Sequence, residues 1–372
     1  MKKYFVMAAL AVSTLTASAQ CVIPKWINNV KLSGFGIVQY TYNGQENNES
    51  NSFNLRLARL ALDGRAFDDW YWKAQIQFNG NTSTLGSSPK LVDLFIEWQK
   101  YDFLRVKAGQ FKNPFTYENP MHPIDQGFMS YSQVISKFAG FSDRAGAHSS
   151  NGRDIGVQLQ GDFLKNASGR NLIHYQVGVF NGQGINVKDV DQQKNIIGGA
   201  WVMPVEGMRL GAFGWIGSYA RKGTSASEGI TNTTLRRLQQ RRYAFSAEYK
   251  VDDWTFRSEY VHSTGYAFAK AMVNTNDASA KDITLSSNGD KSQGVYALVI
   301  APIIKKKCHA KARYDMYQPS KGAEKQRTQY EIGLDYYFNK NICLTGEYAY
   351  IHDRALADPN YSMIDVELSY RF

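Results

Sequence analysis

Long apolar runs, cysteines and blocks of like charge are scarce in this chain of 372 residues. Beyond its first 19 residues, no stretch of the sequence offers the roughly 20 consecutive apolar residues that a membrane-spanning helix requires. Three cysteines are too few for a disulfide framework. The net charge of +10 is spread along the sequence, which disfavours nucleic-acid binding. These absences exclude a helical membrane protein and a disulfide-stapled scaffold.

The amino terminus has the pattern of an export signal. Two lysines precede an apolar run, Phe5–Leu15, which ends in small residues. This pattern predicts a secretory signal peptide over residues 1–19. A lipid anchor on Cys21 is the alternative, which Gln20 disfavours because a small residue normally stands directly before the acylated cysteine. The mature chain then begins with a short periplasmic segment, residues 20–29.

Composition favours strands that face lipid on one side and water on the other. The mean hydropathy is −0.41, yet 13% of the residues are aromatic. A transmembrane barrel reconciles the two values, because one face of each strand lines a wet lumen and aromatic residues mark the membrane interfaces. In the stretch 70–78 one face carries Trp70, Trp72, Ala74, Ile76 and Phe78, and the other carries Lys73, Gln75 and Gln77.

Such alternating stretches recur from residue 30 to residue 372, and we count about 16 of them. The fold class predicted is all-β, a transmembrane antiparallel up-and-down β-barrel with short periplasmic turns and long extracellular loops. A soluble β-sandwich or propeller also has short alternating strands, but it does not need tyrosine and tryptophan at strand ends. The long connections are residues 43–51, 80–89, 113–151, 218–239 and 264–289.

The last strand carries a possible assembly signal. Five alternate positions are apolar and the chain ends in an aromatic residue, a pattern similar to the signal read by the barrel-assembly machinery. An ordinary last strand that happens to end in phenylalanine is the alternative. The residues of the proposed signal are Ile364, Val366, Leu368, Tyr370 and Phe372.

The same alternation assigns charged side chains to the lumen. Basic side chains predicted to line the pore are Lys73, Arg105, Lys107, Arg257, Lys311 and Arg313. Acidic residues share this face, so the predicted interior is mixed, and some of the basic residues are expected to be merely solvated. The acidic residues are Asp93, Glu97, Glu248, Glu259, Glu331, Asp335, Asp365 and Glu367. Cys343 falls on the lumen face and Cys308 on the lipid face, so we expect no disulfide between them.

Segment 113–151 is too long to be a simple connector. Folded into the barrel it would narrow the pore, with Lys137, Arg144 and Arg153 at the constriction. A surface loop that covers the mouth is the alternative.

A second basic group lies around segment 218–239. It can attract anions to a vestibule through its summed field. It can equally hold phosphate groups of outer-leaflet lipopolysaccharide. Its members are Arg221, Lys222, Arg236 and Arg237.

Four strings, Phe53–Gly64, Arg105–Pro114, Gly152–Gly156 and Val179–Gly182, resemble in sequence and order the phosphate-selective porin O and P family. Glu118 and Lys194 extend the resemblance. The resemblance implies a 16-stranded barrel, usually a homotrimer, in which arginines and lysines lead anions to a constriction formed by infolded loops.

We therefore predict an outer-membrane porin for passive diffusion of small hydrophilic solutes, with phosphate or other small anions preferred and no cofactor or metal. A structural or adhesive barrel and a non-selective barrel are alternatives. A barrel hydrolase is disfavoured, because His262 and Ser263 are adjacent on a strand and point to opposite faces.

Overall fold

The computed structural model describes residues 26–79, 89–146, 151–270 and 281–372. The predicted signal peptide lies outside these residues, as do residues 20–25 and most of segment 80–89. In the part of the chain that is described, no helix has the length and hydropathy needed to cross a bilayer.

The described chain is almost entirely strand. One six-residue helix, α1, spans Gln133–Phe138, and short 3₁₀ turns occur at Pro123–Asp125 and Ala226–Glu228. The strands are β1 (Ile27–Asn43), β2 (Ser50–Ala66), β3 (Trp70–Gln77), β4 (Lys90–Tyr101), β5 (Leu104–Lys112), β6 (Arg153–Lys165), β7 (Asn171–Phe180), β8 (Asn195–Val202), β9 (Met208–Ser225), β10 (Ile230–Val251), β11 (Trp254–Thr264), β12 (Lys281–Asp282), β13 (Lys291–Ile304), β14 (Cys308–Gln318), β15 (Arg327–Asn339), β16 (Ile342–Asp353) and β17 (Asn360–Arg371).

The long strands close into a barrel. Each pairs antiparallel with its neighbour in the sequence, β11 pairs directly with β13, and β17 pairs with β1. At the seam, Gly34 and Phe372 exchange two backbone hydrogen bonds of 3.1 and 3.0 Å. The two-residue β12 pairs in parallel with β9 and adds no strand to the wall. The prediction of a closed antiparallel barrel of sixteen strands is confirmed.

The strands alternate between an apolar outer face and a polar inner face. On β17, Val366 and Leu368 are exposed on the outside, while Asp365 and Glu367 are buried inside. Outward-facing leucine, isoleucine, valine and aromatic side chains recur around the wall. An apolar surface of this extent is stable against lipid and not against water, which places the barrel in the outer membrane.

Tight turns join several strands at one end of the barrel, with three residues between β2 and β3 and two between β10 and β11. Phe67 and Asp68 both have left-handed φ angles, 49° and 60°, as do Asp252 and Asp253, at 52° and 75°. Left-handed φ at both central positions gives the turn whose twist matches a β-hairpin, and aspartate tolerates that conformation. The predicted short turns at these positions are therefore present.

Two sequence-based boundaries were wrong. The first strand begins at Ile27, inside the predicted periplasmic segment 20–29. Segment 218–239 is not a loop, because β9 and β10 continue through it and leave only a short turn between Ser225 and Ile230. The 22 residues of β10 span about 73 Å at 3.3 Å per residue, far beyond a hydrocarbon core of about 30 Å. Above the membrane a strand needs no lipid-facing side, so its sequence loses the apolar alternation.

Replacing Phe372 by serine tests the proposed assembly signal. We expect about a fivefold or greater loss of heat-modifiable barrel in the outer membrane, because the variant loses the terminal aromatic residue of the pattern proposed to be read by the barrel-assembly machinery. The matched control is Phe338→Ser, which changes a phenylalanine of similar exposure at the same end of β15. Equal loss in both variants would mean that Phe372 contributes only lipid contact.

Candidate functional site

Segment 113–146 lies inside the barrel. Phe115, Phe128 and Phe138 are buried in an aromatic cluster that includes Trp215 and Tyr296 of the wall. Ser132 caps α1 by accepting a hydrogen bond from the backbone N–H of Ile135, which fixes the short helix within the lumen. The segment thus fills much of the lumen on the side of β8 to β13.

Wall carboxylates hold the backbone of this segment. Glu259 accepts hydrogen bonds from the N–H groups of Tyr117 and Glu118, at 2.6 and 2.9 Å. Asp315 accepts from the N–H of Gln133 at 2.8 Å. Several of the acidic lumen residues are therefore engaged with the infolded segment or with cations, and they face little free solvent.

Three of the predicted pore-lining cations anchor the infolded segment to the barrel wall. Lys311 contacts Asp335 and Glu347, at 2.8 and 2.6 Å, and donates to the carbonyl of Gly127. In the same way, Arg313 pairs with a wall carboxylate and donates to a carbonyl of the infolded segment, and so does Arg257. These side chains are buried and attach the segment to the wall.

The other three predicted cations lie on the opposite side of the barrel. Lys73 and Lys107 line a cavity of about 290 Å³ between strands β1 to β7 and the infolded segment. Arg105 pairs with Asp162 at 2.7 Å. We define the basic wall as the five cations that line this cavity, which are Arg59, Lys73, Lys107, Lys112 and Arg153.

The basic wall carries an excess of positive charge. Arg153 forms a two-pronged ion pair with Asp93, and Lys107 lies 3.6 Å from a carboxylate oxygen of Glu97. The other three cations have no carboxylate oxygen within 4.0 Å among the described residues: Arg59 donates to Gln77, Lys112 donates to the carbonyl of Met121, and Lys73 faces the cavity. The described lining includes Asp93 as its single carboxylate.

The remaining cations predicted at the constriction and vestibule lie elsewhere. Arg144 is buried and donates to the carbonyl of Gly265 at 2.7 Å. Lys137 lines a separate cavity, and burial lowers its pKa.

Of the vestibule group, Arg221 is fully buried and donates to the carbonyl of Gly146 at 2.6 Å, so it joins loops and does not face a vestibule. Arg236 pairs with Glu228, and Arg237 lies 3.6 Å from a carboxylate oxygen of Asp191. Lys222 is exposed on the extended strand β9.

Sequence reasoning missed Arg59 and Lys112, although both lie in strings that the family resemblance uses. A β-bulge in β2 explains the omission of Arg59. Ile37 pairs with Leu57 and Val38 with Leu55, so one extra residue in β2 reverses the alternation there. Strict alternation that starts from the outward-facing Leu55 ignores this bulge and places the side chain of Arg59 outside the barrel. The side chain is instead buried inside.

The residues considered for hydrolysis do not form a site. Ser263 is buried on the inner face beside Arg144, whereas His262 stacks on Tyr243 with ring centroids 5.2 Å apart. Tyr243 is exposed on the outer face.

A closed sixteen-stranded barrel with a lipid-facing surface and an infolded segment defines an outer-membrane porin. Solved outer-membrane proteins share this fold over 92% of the chain at low sequence identity. OmpT of Vibrio cholerae, in a trimer form, has a TM-score of 0.59 at 12% identity, with 99% of its chain covered. The channel DcaP of Acinetobacter baumannii gives 0.60 at 12% identity, with 97% covered. An anion-selective porin of Comamonas acidovorans gives 0.60 at 14% identity, with 99% covered.

One sequence family matches part of the chain. Residues 33–191 match the sequence model of the family described as phosphate-selective porin O and P. This confirms the family resemblance over that part of the chain, which contains the whole basic wall. Among curated protein sequences, none matches the chain significantly.

Proposed function

We propose that this porin passes small anions by diffusion along its basic wall. The observation that carries the proposal is the imbalance of charge in the described cavity lining, where five cations face one carboxylate, Asp93. Cations in a narrow lumen with low-dielectric walls raise the local concentration of anions and lower that of cations. Arg105, at the periplasmic end of β5, extends the same side of the pore.

The acidic half of the lumen does not cancel this effect. Lys311, Arg313 and Arg257 each pair with carboxylates there, and backbone N–H groups of the infolded segment donate to Glu259 and Asp315, so this segment stands between the acidic side and the cavity of the basic wall. Within this proposal Arg153 orients Asp93, and Lys137 lines a wider cavity on the extracellular side. The resulting preference is for anions in general, and phosphate is one member of that class.

The zero-current potential of the purified protein in a planar bilayer tests the proposal. In a potassium chloride gradient we expect a zero-current potential with the sign of an anion-preferring pore. The preference should weaken as the salt concentration rises, because the Debye length shortens to about 3 Å at 1 M. A potential of the cation-preferring sign would overturn the proposal.

A structural or adhesive barrel is the second candidate, and one observation favours it. The aromatic cluster around Phe115 and Phe138 fills a large part of the lumen. A barrel closed by its infolded segment should carry no ion current, so the bilayer measurement separates the two functions.

The proposal includes an assembly context. We propose that the signal peptide is cleaved after Ala19, that the barrel-assembly machinery inserts the barrel, and that the protein assembles as a homotrimer. Exposed Lys222 and the partly exposed Arg237 lie on the extended hairpin of β9 and β10, where they can meet permeant anions or phosphate groups of lipopolysaccharide.

A further inference from the structure

The cavity beside the basic wall also has an apolar side. Three rings of the barrel wall reach it, those of Phe35, Phe95 and Phe111. The infolded segment closes it with three prolines and a methionine, Pro114, Pro120, Met121 and Pro123. Cationic groups therefore share a small volume with aromatic and aliphatic surface.

The cations lie directly beside the rings. The Nζ atom of Lys107 is 5.1 Å from the ring centroid of Phe95 and 5.3 Å from that of Phe111. The guanidinium carbon of Arg59 is 5.8 Å from the ring centroid of Phe35. An anionic group held by Lys107 thus places the rest of its molecule against Phe95 and Phe111.

The apolar side cannot replace the hydration shell of an inorganic anion. Proline has no backbone N–H, so Pro114, Pro120 and Pro123 offer no donors at their positions. Among the glutamines of the wall, Gln158 donates to Gln160, which in turn donates to Glu97, while the Nε2 atom of Gln176 has no partner among the described residues. These amides belong to the barrel wall and not to the side that the prolines and Met121 close. A small, strongly hydrated anion would lose water on this side without compensation.

We propose that the cavity selects carboxylates with an apolar, planar body, of which benzoate is a simple example. The inference rests on the proposed anion function and names the solute class for the same site. The carboxylate lies among Lys73, Lys107 and Lys112, and the ring contacts Phe95 and Met121. A volume of about 290 Å³ lies at the lower end for small-molecule sites and suits one such anion.

Block of the chloride current tests the proposal. Benzoate, acetate and inorganic phosphate are added separately to the purified porin in a bilayer, and the concentration of half-block is measured for each. We expect benzoate to block at about tenfold lower concentration than acetate, because only benzoate buries a ring. We also expect it to block at lower concentration than phosphate.

Phe95→Leu distinguishes the ring contact from simple charge attraction. This variant keeps an apolar side chain at a half-buried position. It should weaken block by benzoate several-fold and block by acetate much less, so that the difference between the two anions shrinks. Phe245→Leu, on the lipid-facing side of β10, is the matched control and should change none of these values.

The outcomes separate the two proposals. Equal block by benzoate and acetate, or tighter block by phosphate, overturns the solute class while anion preference stands. A cation-preferring potential in the unmodified protein overturns the anion function itself. The comparison of ligands on the unmodified protein decides the question even where Phe95→Leu fails to fold.

Discussion

The double variant Lys73→Gln/Lys112→Gln is expected to lose most of the anion preference of the pore. These two ammonium groups line the cavity without a carboxylate within 4.0 Å among the described residues, so their charge acts on permeating ions. Of the basic wall, only Arg59 then remains without such a partner, since Lys107 and Arg153 lie beside Glu97 and Asp93. We expect the zero-current potential to fall to about half of its original value or less.

Two exposed lysines provide the control for net charge. Lys165 and Lys340 lie at turns on the periplasmic side, away from the cavity. The double variant Lys165→Gln/Lys340→Gln removes the same charge and should leave the potential nearly unchanged. If both double variants behave alike, the preference comes from the overall charge of the protein and not from the basic wall.

Glu259→Ala is expected to release the infolded segment. One buried carboxylate accepts four hydrogen bonds, from the N–H groups of Tyr117 and Glu118 and from the hydroxyls of Ser246 and Tyr296. Its removal leaves four buried donors unsatisfied, at about 1–3 kcal/mol each. We expect single-channel conductance to rise, on the order of twofold, because the segment narrows the lumen.

Limited trypsin digestion of the assembled barrel gives a second readout for the same variant. Lys137 and Arg144 lie in the infolded segment and are protected while it stays packed. Cleavage there should be fast in Glu259→Ala and slow in the unmodified protein. Glu97→Ala is the matched control, because Glu97 is a buried lumen carboxylate whose partners among the described residues, Lys107 and Gln160, belong to the wall. Rapid cleavage in both variants would show that Glu259 has no special role in anchoring.

The sequence predicts the barrel well for a physical reason. A strand between lipid and water must alternate apolar and polar residues, and this constraint acts on every residue that crosses the membrane. The constraint ends where β9 and β10 rise above the bilayer, and there the prediction of a long loop at 218–239 was wrong. The seam residues Gly34 and Phe372 lie where alternation and turn lengths place the ends of the barrel.

The candidate site was less accessible to sequence reasoning. Alternation assigns Lys311 and Arg313 to the lumen, and both are buried there. Alternation cannot distinguish a cation that contacts solute from one that anchors a distant part of the chain. Lys311 is of the second kind, because it binds the carbonyl of Gly127, about 180 residues away in the sequence. That distinction depends on long-range contacts, which leave no periodic pattern. Arg59 was missed for a local reason, the bulge that reverses the alternation of β2.

The separation of charge between the two sides of the lumen creates an electric field across the pore, perpendicular to its axis. Among the described residues of β14 to β17, six buried carboxylates stand against two buried cations. Across the lumen stands the cation-rich wall of β2 to β6. A solute with separated charges, such as a zwitterion, is therefore turned sideways as it crosses, with its negative end towards Lys73 and Lys112. Molecules of equal size and zero net charge should then differ in passage rate according to their dipole moments. The carboxylates of β14 to β17 are Asp315, Glu331, Asp335, Glu347, Asp365 and Glu367.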